Sequence, residues 1–278
     1  MKLATIRTSD GTHAVRLDGD TLIDLAAPDL GALFADPDWK ARAAAATGPT
    51  YPVAGADFAP VVPNPSKIVC VGLNYRSHIE EMGRDLPDHP VLFAKFADTL
   101  AGADDDIVKP AETEQFDWEC ELTVVVGKTV RHARGAEAEA AIAGFTALND
   151  FSARDWQFRT REWLQGKIWD ATTPVGPYVV TPDELPGGVR PALDTQLTIG
   201  GVVKQTANTA DLLFDPVHLI EYISTIITLR PGDLIATGTN GGVGHARTPQ
   251  EFLWGGETVQ ITIEGIGTMT NKIVKDAG

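Results

Sequence analysis

The sequence predicts a mainly β protein with some α (α+β). Three observations support this: strand-like runs dominate, helix-like runs are few and short, and the strict βαβα alternation of a doubly wound fold is missing. With 278 residues, 43% of them hydrophobic, the chain has material for a sizeable core and is long for one domain, so a large domain with a small appended one is expected.

The N-terminal 60 residues form the small unit. Leu3, Thr5 and Arg7 alternate, Ser9-Asp10-Gly11 and Asp18-Gly19-Asp20 are turns, and Leu22-Ile23-Asp24-Leu25 follows, which together predict an antiparallel meander. The Ala-rich stretch from Leu30 to Ala46, broken by Asp36-Pro37, predicts one or two short helices. Pro60-Val61-Val62-Pro63-Asn64-Pro65 disfavours helix and reads as an extended linker, which places the boundary between domains 1–60 and 61–278.

Beyond the linker, Lys67 to Gly72 reads as a buried strand, Asn74 to Met82 as a short helix, and Gly83 to Pro90 as an exposed loop that could act as a lid. Val91 to Phe96 and Ile107 to Pro110 are further strands. Gly135 to Ala143 reads as a helix, Phe145 to Asp150 as a strand ending in an acid, and Ser152 as the cap of a helical segment reaching Leu164. Strands are expected at 174–181, 194–199, 202–206, 233–237, 258–264 and 268–274, with Gly200-Gly201 as a hairpin turn. Asp215-Pro216 starts a helix to about Ile226.

Asp117-Trp118-Glu119-Cys120-Glu121-Leu122 opens an otherwise buried strand. Period-two alternation puts Glu119 and Glu121 on one side, where two carboxylates beside an apolar run call for a cation. The same residues also read as an edge strand with a solvated acidic face. Asp150, at the end of its own strand, is a third oxygen donor or a turn residue, and three hard ligands favour Mg²⁺, Mn²⁺ or Ca²⁺ over zinc.

His78 and Glu81, three apart on a helix, suit a base with its orienting carboxylate or an ordinary surface pair. Lys167 sits in an aromatic setting that could aim its amine at an anion, or it is a solvated lysine. The loop Gly238 to Gly244 allows close backbone approach but matches neither a P-loop nor a dinucleotide fingerprint.

A net charge of -15 without a basic run argues against nucleic acid and anionic membranes as partners. Cys70 and Cys120, both in apolar runs, fit reduced buried thiols, and no signal-like or membrane-spanning stretch is present, so a cytoplasmic protein is expected.

Taken in order, these segments resemble the fumarylacetoacetate hydrolase family over residues 66–275. The matching stretches are Val71-Gly72-Leu73-Asn74-Tyr75 with His78 and Glu81, Leu92 to Lys95, Asp117 to Leu122, Asn149 to Gln157, Gly166-Lys167, Thr173 to Pro177, and Gly232-Asp233 through Gly244. The resemblance implies a mixed β-sandwich roll, usually a homodimer, close to the acylpyruvases or the bacterial 2-hydroxyhepta-2,4-diene-1,7-dioate isomerases. It also implies that Glu119, Glu121 and Asp150 hold Mg²⁺ or Mn²⁺, that His78 and Glu81 activate water, and that Lys167 stabilises an oxyanion.

Gln157 and Thr239 fall where family members contact substrate. Asn240 replaces the usual proline of the family's Gly-Thr-Pro loop, and Arg159 or Arg161 would meet a distal carboxylate or stand as a solvated helix charge. The implied substrate is a small 2-oxo or β-diketo acid, and the implied reaction is metal-dependent hydrolysis of a C–C bond in an acylpyruvate or fumarylpyruvate, giving pyruvate and a carboxylic acid. Decarboxylation of an oxaloacetate-type acid or isomerisation of a 2-hydroxydienoate would use the same site. A non-catalytic scaffold is disfavoured because every implied catalytic side chain is present.

Overall fold

The computed structural model describes residues 1–276 apart from Met82, Arg84 and the side chain of Glu81. In the N-terminal segment, β1 (Lys2–Thr8), β2 (Gly11–Asp18) and β3 (Thr21–Asp24) form the expected meander. They are followed by α1 (Leu30–Phe34), which Asp29 caps by accepting from the Ala32 N–H, then by α2 (Trp39–Ala45), β4 (Thr50–Pro52) and β5 (Asp57–Phe58). Next come β6 (Ile68–Gly72), α3 (Arg76–Glu81), β7 (Val91–Lys95), β8 (Leu100–Ala101), β9 (Ile107–Lys109) and β10 (Phe116–Asp117).

The centre of the fold is β11 (Cys120–Val126) and β12 (Ile142–Asn149), joined through α4 (Ala136–Ala140). Then follow β13 (Ser152–Ala153), α5 (Arg154–Gln157), α6 (Leu164–Lys167), β14 (Thr173–Val180), β15 (Asp194–Ile199), β16 (Val202–Asn208), α7 (Pro216–Ile226), β17 (Leu234–Thr239), β18 (Thr258–Ile263) and β19 (Gly267–Lys275). The expected mainly β, α+β class holds.

One large sheet runs in the order β4-β3-β2-β1-β14-β12-β11-β17-β6-β7, and a second runs β16-β15-β18-β19-β9. Residues 1–60 continue the large sheet, because Leu3 of β1 pairs with Val179 of β14. Strand alternation divides the core. Leu122 and Val124 of β11, with Phe145 of β12 and Ile235 of β17, face the second sheet's Leu197, Val259, Ile261 and Met269 and the apolar stripe of α7. Val125, Val179 and Leu234 face the other way, onto α1, α2 and the linker. The linker is not the extended segment expected: the chain bends through Val61 to Asn64 and packs on the core, where Val61 and Val62 are buried and the Val61 carbonyl accepts from the Thr5 hydroxyl at 2.7 Å.

Two helical expectations are corrected. The helix expected from Gly135 to Ala143 ends at Ala140, because Ile142 and Ala143 join β12 and are buried in it. Ser152 does not cap a helix through Leu164. It pairs with Asp117 in the short ribbon β10–β13, its hydroxyl donates to the Asp150 carbonyl, and only Arg154–Gln157 and Leu164–Lys167 are helical. Here a strand partner far away in sequence outweighs a local capping preference.

Asn74 ties the strand ends together at the site. Its amide donates to the Phe214 carbonyl at 3.1 Å and the Thr237 carbonyl at 2.7 Å, and its oxygen accepts from the Phe214 N–H at 2.8 Å. Asn74→Ala would leave three buried backbone groups unpaired, for an expected loss of about 2–4 kcal/mol in urea unfolding. A loss below about 0.5 kcal/mol would contradict this.

Candidate metal centre and active site

Antiparallel pairing brings the acids together. β11 begins where β12 ends, so Cys120 lies opposite Asn149 and the two acidic strand ends meet at one edge of the sheet core. The Asp150 N–H donates to the Glu119 carbonyl at 3.0 Å, and the Glu119 N–H to Asn149 Oδ1 at 2.9 Å. On the other side β17 lies antiparallel to β11, and the Gly238 N–H donates to Glu121 Oε2 at 2.8 Å. Gly238 has φ +100°, and a β-carbon there would sit 2.7 Å from the Val71 carbonyl oxygen, so this donor requires glycine.

Glu119, Glu121 and Asp150 each present an oxygen within 4.8 Å of the others, and all three are buried. Two oxygens on opposite sides of a hard divalent cation stand about 4–5 Å apart, so the spacing and the all-oxygen donor set fit Mg²⁺, Mn²⁺ or Ca²⁺. Countercharges surround the cluster. Lys95 Nζ lies 2.6 Å from Asp150 Oδ1 and also donates to the Lys167 carbonyl. Lys167 Nζ lies 2.8 Å from both Asp150 Oδ2 and Glu119 Oε2. Arg154 spans two acids, with Nε 2.7 Å from Asp117 Oδ2 and Nη2 2.8 Å from Glu119 Oε1.

Among the described residues, Glu121 has no cation partner. Burial, then Asp150 and Glu119, push its carboxyl well above the usual range. Burial would push Asp150 the same way, yet Lys167 and Lys95 hold it below its ordinary value. Burial lowers Lys167, but Asp150 and Glu119 outweigh it and keep the ammonium charged. Among the described residues, three cations therefore face four buried carboxylates, and the uncompensated one belongs to the three-acid cluster. A divalent cation would supply the missing charge.

Above the cluster is a cavity of about 380 Å³. Its lining includes Glu119, Lys167, Arg154, Gln157, Thr239 and His78, and Phe93 and Trp163 give it an apolar wall. Of the expected site residues, His78, Gln157, Lys167 and Thr239 thus share the cavity with Glu119, and Glu121 and Asp150 complete the acid cluster. Gln157 Oε1 accepts from Arg154 Nη1 at 2.8 Å. Thr239 accepts from Gln205 Nε2 at 2.8 Å and donates to the Cys120 carbonyl at 3.1 Å.

Asn240 is buried beside the cavity, held by Gln205 Nε2 through its carbonyl at 2.9 Å, and does not line the space. Arg161 is exposed and outside the lining, while Arg159 stacks its guanidinium 3.4 Å from the Trp156 ring centroid. Glu81 ends α3, and its side chain lies outside the described residues.

The sequence reading gave no role to Lys95, Asp117, Arg154 or His245. Asp117 had a readable signal, because period two places it in line with Glu119. Its carboxylate accepts from Arg154 and from the N–H groups of Gly244 at 2.7 Å and His245 at 3.0 Å, fastening the glycine loop to the site. Gly244 has no room for a side chain: a β-carbon would come within 1.9 Å of the Glu251 carbonyl oxygen. Lys95 closes an apolar strand as its one charge, which was the available hint. Among the described residues, no helix is long and apolar enough to cross a membrane.

Similarity to known proteins identifies the family. Residues 67–274 match the family model of the fumarylacetoacetate (FAA) hydrolase C-terminal domain. The human mitochondrial oxaloacetate tautomerase FAHD2A is 41% identical over 235 residues, covering 84% of this chain and 74% of that protein. The crystal structure of 5-carboxymethyl-2-hydroxymuconate delta-isomerase from Mycobacterium smegmatis is 33% identical, with a TM-score of 0.81 over all of both chains. Fumarylacetoacetate hydrolase from Exiguobacterium antarcticum, 28% identical, superposes with a TM-score of 0.87 over 99% of this chain and all of the other. The chain belongs to the fumarylacetoacetate hydrolase family, an enzyme family with tautomerase, isomerase and hydrolase members.

Proposed function

We propose that this chain interconverts the keto and enol forms of a short 2-oxo dicarboxylic acid of the oxaloacetate type. The carrying observation is the buried three-carboxylate cluster beneath a cavity whose wall bears His78, in a chain 41% identical to an oxaloacetate tautomerase. Glu119, Glu121 and Asp150 would hold Mg²⁺ or Mn²⁺, which when bound polarises the 2-keto group and acidifies the neighbouring C–H.

His78 removes that proton and returns it, an imidazole being suited to exchange protons near neutrality. Glu81, three residues further along α3, would serve as the orienting carboxylate. The charged Lys167 stabilises negative charge developing on the substrate oxygen, and Gln157 and Thr239 fix the bound acid's position. Burial of the cluster keeps bulk water from screening these charges.

A second reading is hydrolysis of an acylpyruvate, supported by His78 on the cavity wall and by the fold shared with a fumarylacetoacetate hydrolase. There His78 would deprotonate a water that attacks the distal carbonyl, Lys167 would stabilise the oxyanion, and its collapse would break the C–C bond, leaving a carboxylic acid and a pyruvate enolate that takes up the proton held by His78 to give pyruvate. The two readings separate in parallel assays. Proton NMR in D₂O follows exchange at C3 of oxaloacetate, and release of pyruvate follows cleavage of an acylpyruvate or, with CO₂, decarboxylation.

Exchange above the spontaneous rate without pyruvate release is expected, and cleavage alone would establish the hydrolase instead. His78→Ala should lower kcat for exchange by about 10²–10⁴-fold, and wild-type kcat in that variant would reassign the base.

Two further expectations accompany the enzyme. A homodimer is supported by exposed Val202 and Val203 on the edge strand β16 and by exposed Trp254, and light scattering at monomer mass would contradict it. The buried free thiols of Cys70 and Cys120 fit a reducing compartment such as the cytoplasm.

A further inference from the structure

Among the described residues lining the cavity, the cations Lys167 and Arg154 already pair with buried carboxylates, and the keto–enol reading places what Lys167 has left at the keto oxygen. Lys167 pairs with Glu119 and Asp150, and Arg154 uses Nε on Asp117, Nη2 on Glu119 and Nη1 on Gln157. With Lys167, Gln157 and Thr239 assigned to the end of a 2-oxo acid that sits over the acid cluster, an oxygen at its far end calls for a further donor on the wall. His245 lines the same cavity, and three contacts fix it. Its N–H donates to the Asp117 oxygen that Arg154 Nε also uses, its ring packs 4.9 Å from the Phe158 ring, and its Nδ1 lies 3.2 Å from Gln250 Nε2.

The protonation pattern of that ring follows from Gln250. Gln250 Nε2 also lies 2.8 Å from the His245 carbonyl oxygen, which only accepts, so this atom is the amide NH₂ and not the oxygen. Nδ1 therefore accepts from the same NH₂, and the ring proton of a neutral His245 resides on Nε2. Burial, then the Arg154 charge, lower the basicity of the ring, which keeps it neutral despite the opposing pull of Asp117.

We propose that His245 is a specificity-determining residue whose Nε2–H donates to the distal oxygen of the substrate, selecting 2-oxo acids that carry a second oxygen-bearing group over monofunctional ones. The proposal rests on the keto–enol reading above and adds the group that reads the far end. Because the donor is neutral, it accommodates a distal carboxylate or a distal carbonyl, the two ends offered by oxaloacetate-type and acylpyruvate-type acids.

The test compares C3 hydrogen–deuterium exchange of oxaloacetate with that of 2-oxobutanoate, which lacks the distal group, using Mn²⁺-loaded wild-type, His245→Leu and His245→Gln proteins. In His245→Leu the ratio of kcat/KM for oxaloacetate to that for 2-oxobutanoate should fall by about tenfold or more, chiefly through KM. His245→Gln, which keeps a donor, should restore it to within about threefold of wild type.

A ratio unmoved in His245→Leu while wild type is active overturns this proposal and leaves the keto–enol reading standing. Gln behaving like Leu overturns the donor role in favour of ring shape. Wild-type protein inactive on both acids overturns the keto–enol reading and this proposal with it.

Discussion

Glu121→Gln is expected to abolish divalent-cation binding while leaving the metal-free fold at least as stable as the parent. Glu121 is 1% exposed, has no cation partner among the described residues, and sits against two other carboxylates, so its charge opposes folding until a cation arrives. Glutamine keeps the oxygen that accepts from the Gly238 N–H and replaces the other oxygen with a donor that faces acids instead of repelling them.

Wild type should gain about 2.7 kcal/mol from Mn²⁺ at a hundredfold excess over Kd, a rise of roughly 5 °C in Tm, and the variant should gain nothing. Glu119→Gln should differ, because Glu119 balances both Arg154 and Lys167, and its loss leaves buried cations short of a partner. Differential scanning calorimetry with and without Mn²⁺ checks both. A metal-dependent Tm rise in Glu121→Gln, or a metal-free form much less stable than wild type, would contradict the assignment.

Arg154→Met should be the most destabilising single change at the site, costing about 3–5 kcal/mol. The guanidinium is buried and balances Asp117 and Glu119 together, so its removal leaves both carboxylates short of a countercharge in a water-poor setting. Gln157 also loses the donor that orients it on the cavity wall. Adding Asp117→Asn, which retains an oxygen for the Gly244 N–H, should recover at least about 1 kcal/mol of the loss, and a double variant no more stable than the single one would remove the ion pair from the explanation.

The acids were legible because strand geometry is local: period two put Glu119 and Glu121 on one side, and an apolar run ending in Asp150 marked a strand terminus. The hairpin at Gly200-Gly201 and the start of α7 at Asp215-Pro216 were legible for the same reason, since turn and cap chemistry sit in adjacent residues. The neutralising cations were not. Lys95 and Asp150 are 55 residues apart, and Arg154 and Asp117 are 37 apart, so only the pairing of strands brings them into contact.

The segment from Ser152 to Leu164 carries helix-compatible residues, but the ribbon between Asp117 and Ser152 claims its start, and no local signal announces that partner. His245 was missed because it lies just past the glycine loop, whose value as a ligand approach concealed its next residue. Its role depends on Asp117, Phe158 and Gln250 converging from three segments.

The central claim is that a divalent cation held by Glu119, Glu121 and Asp150 drives proton exchange at the carbon beside a 2-keto group. The most direct measurement is NMR-detected deuterium incorporation at C3 of oxaloacetate, run with chelator-treated protein and again after adding Mg²⁺ or Mn²⁺, each corrected for the same metal without protein. The expected result is no enzymatic exchange in chelator, full recovery with metal in wild type, and no recovery in Glu121→Gln. Exchange that persists at the wild-type rate in the chelated protein, or returns with metal in Glu121→Gln, would contradict it.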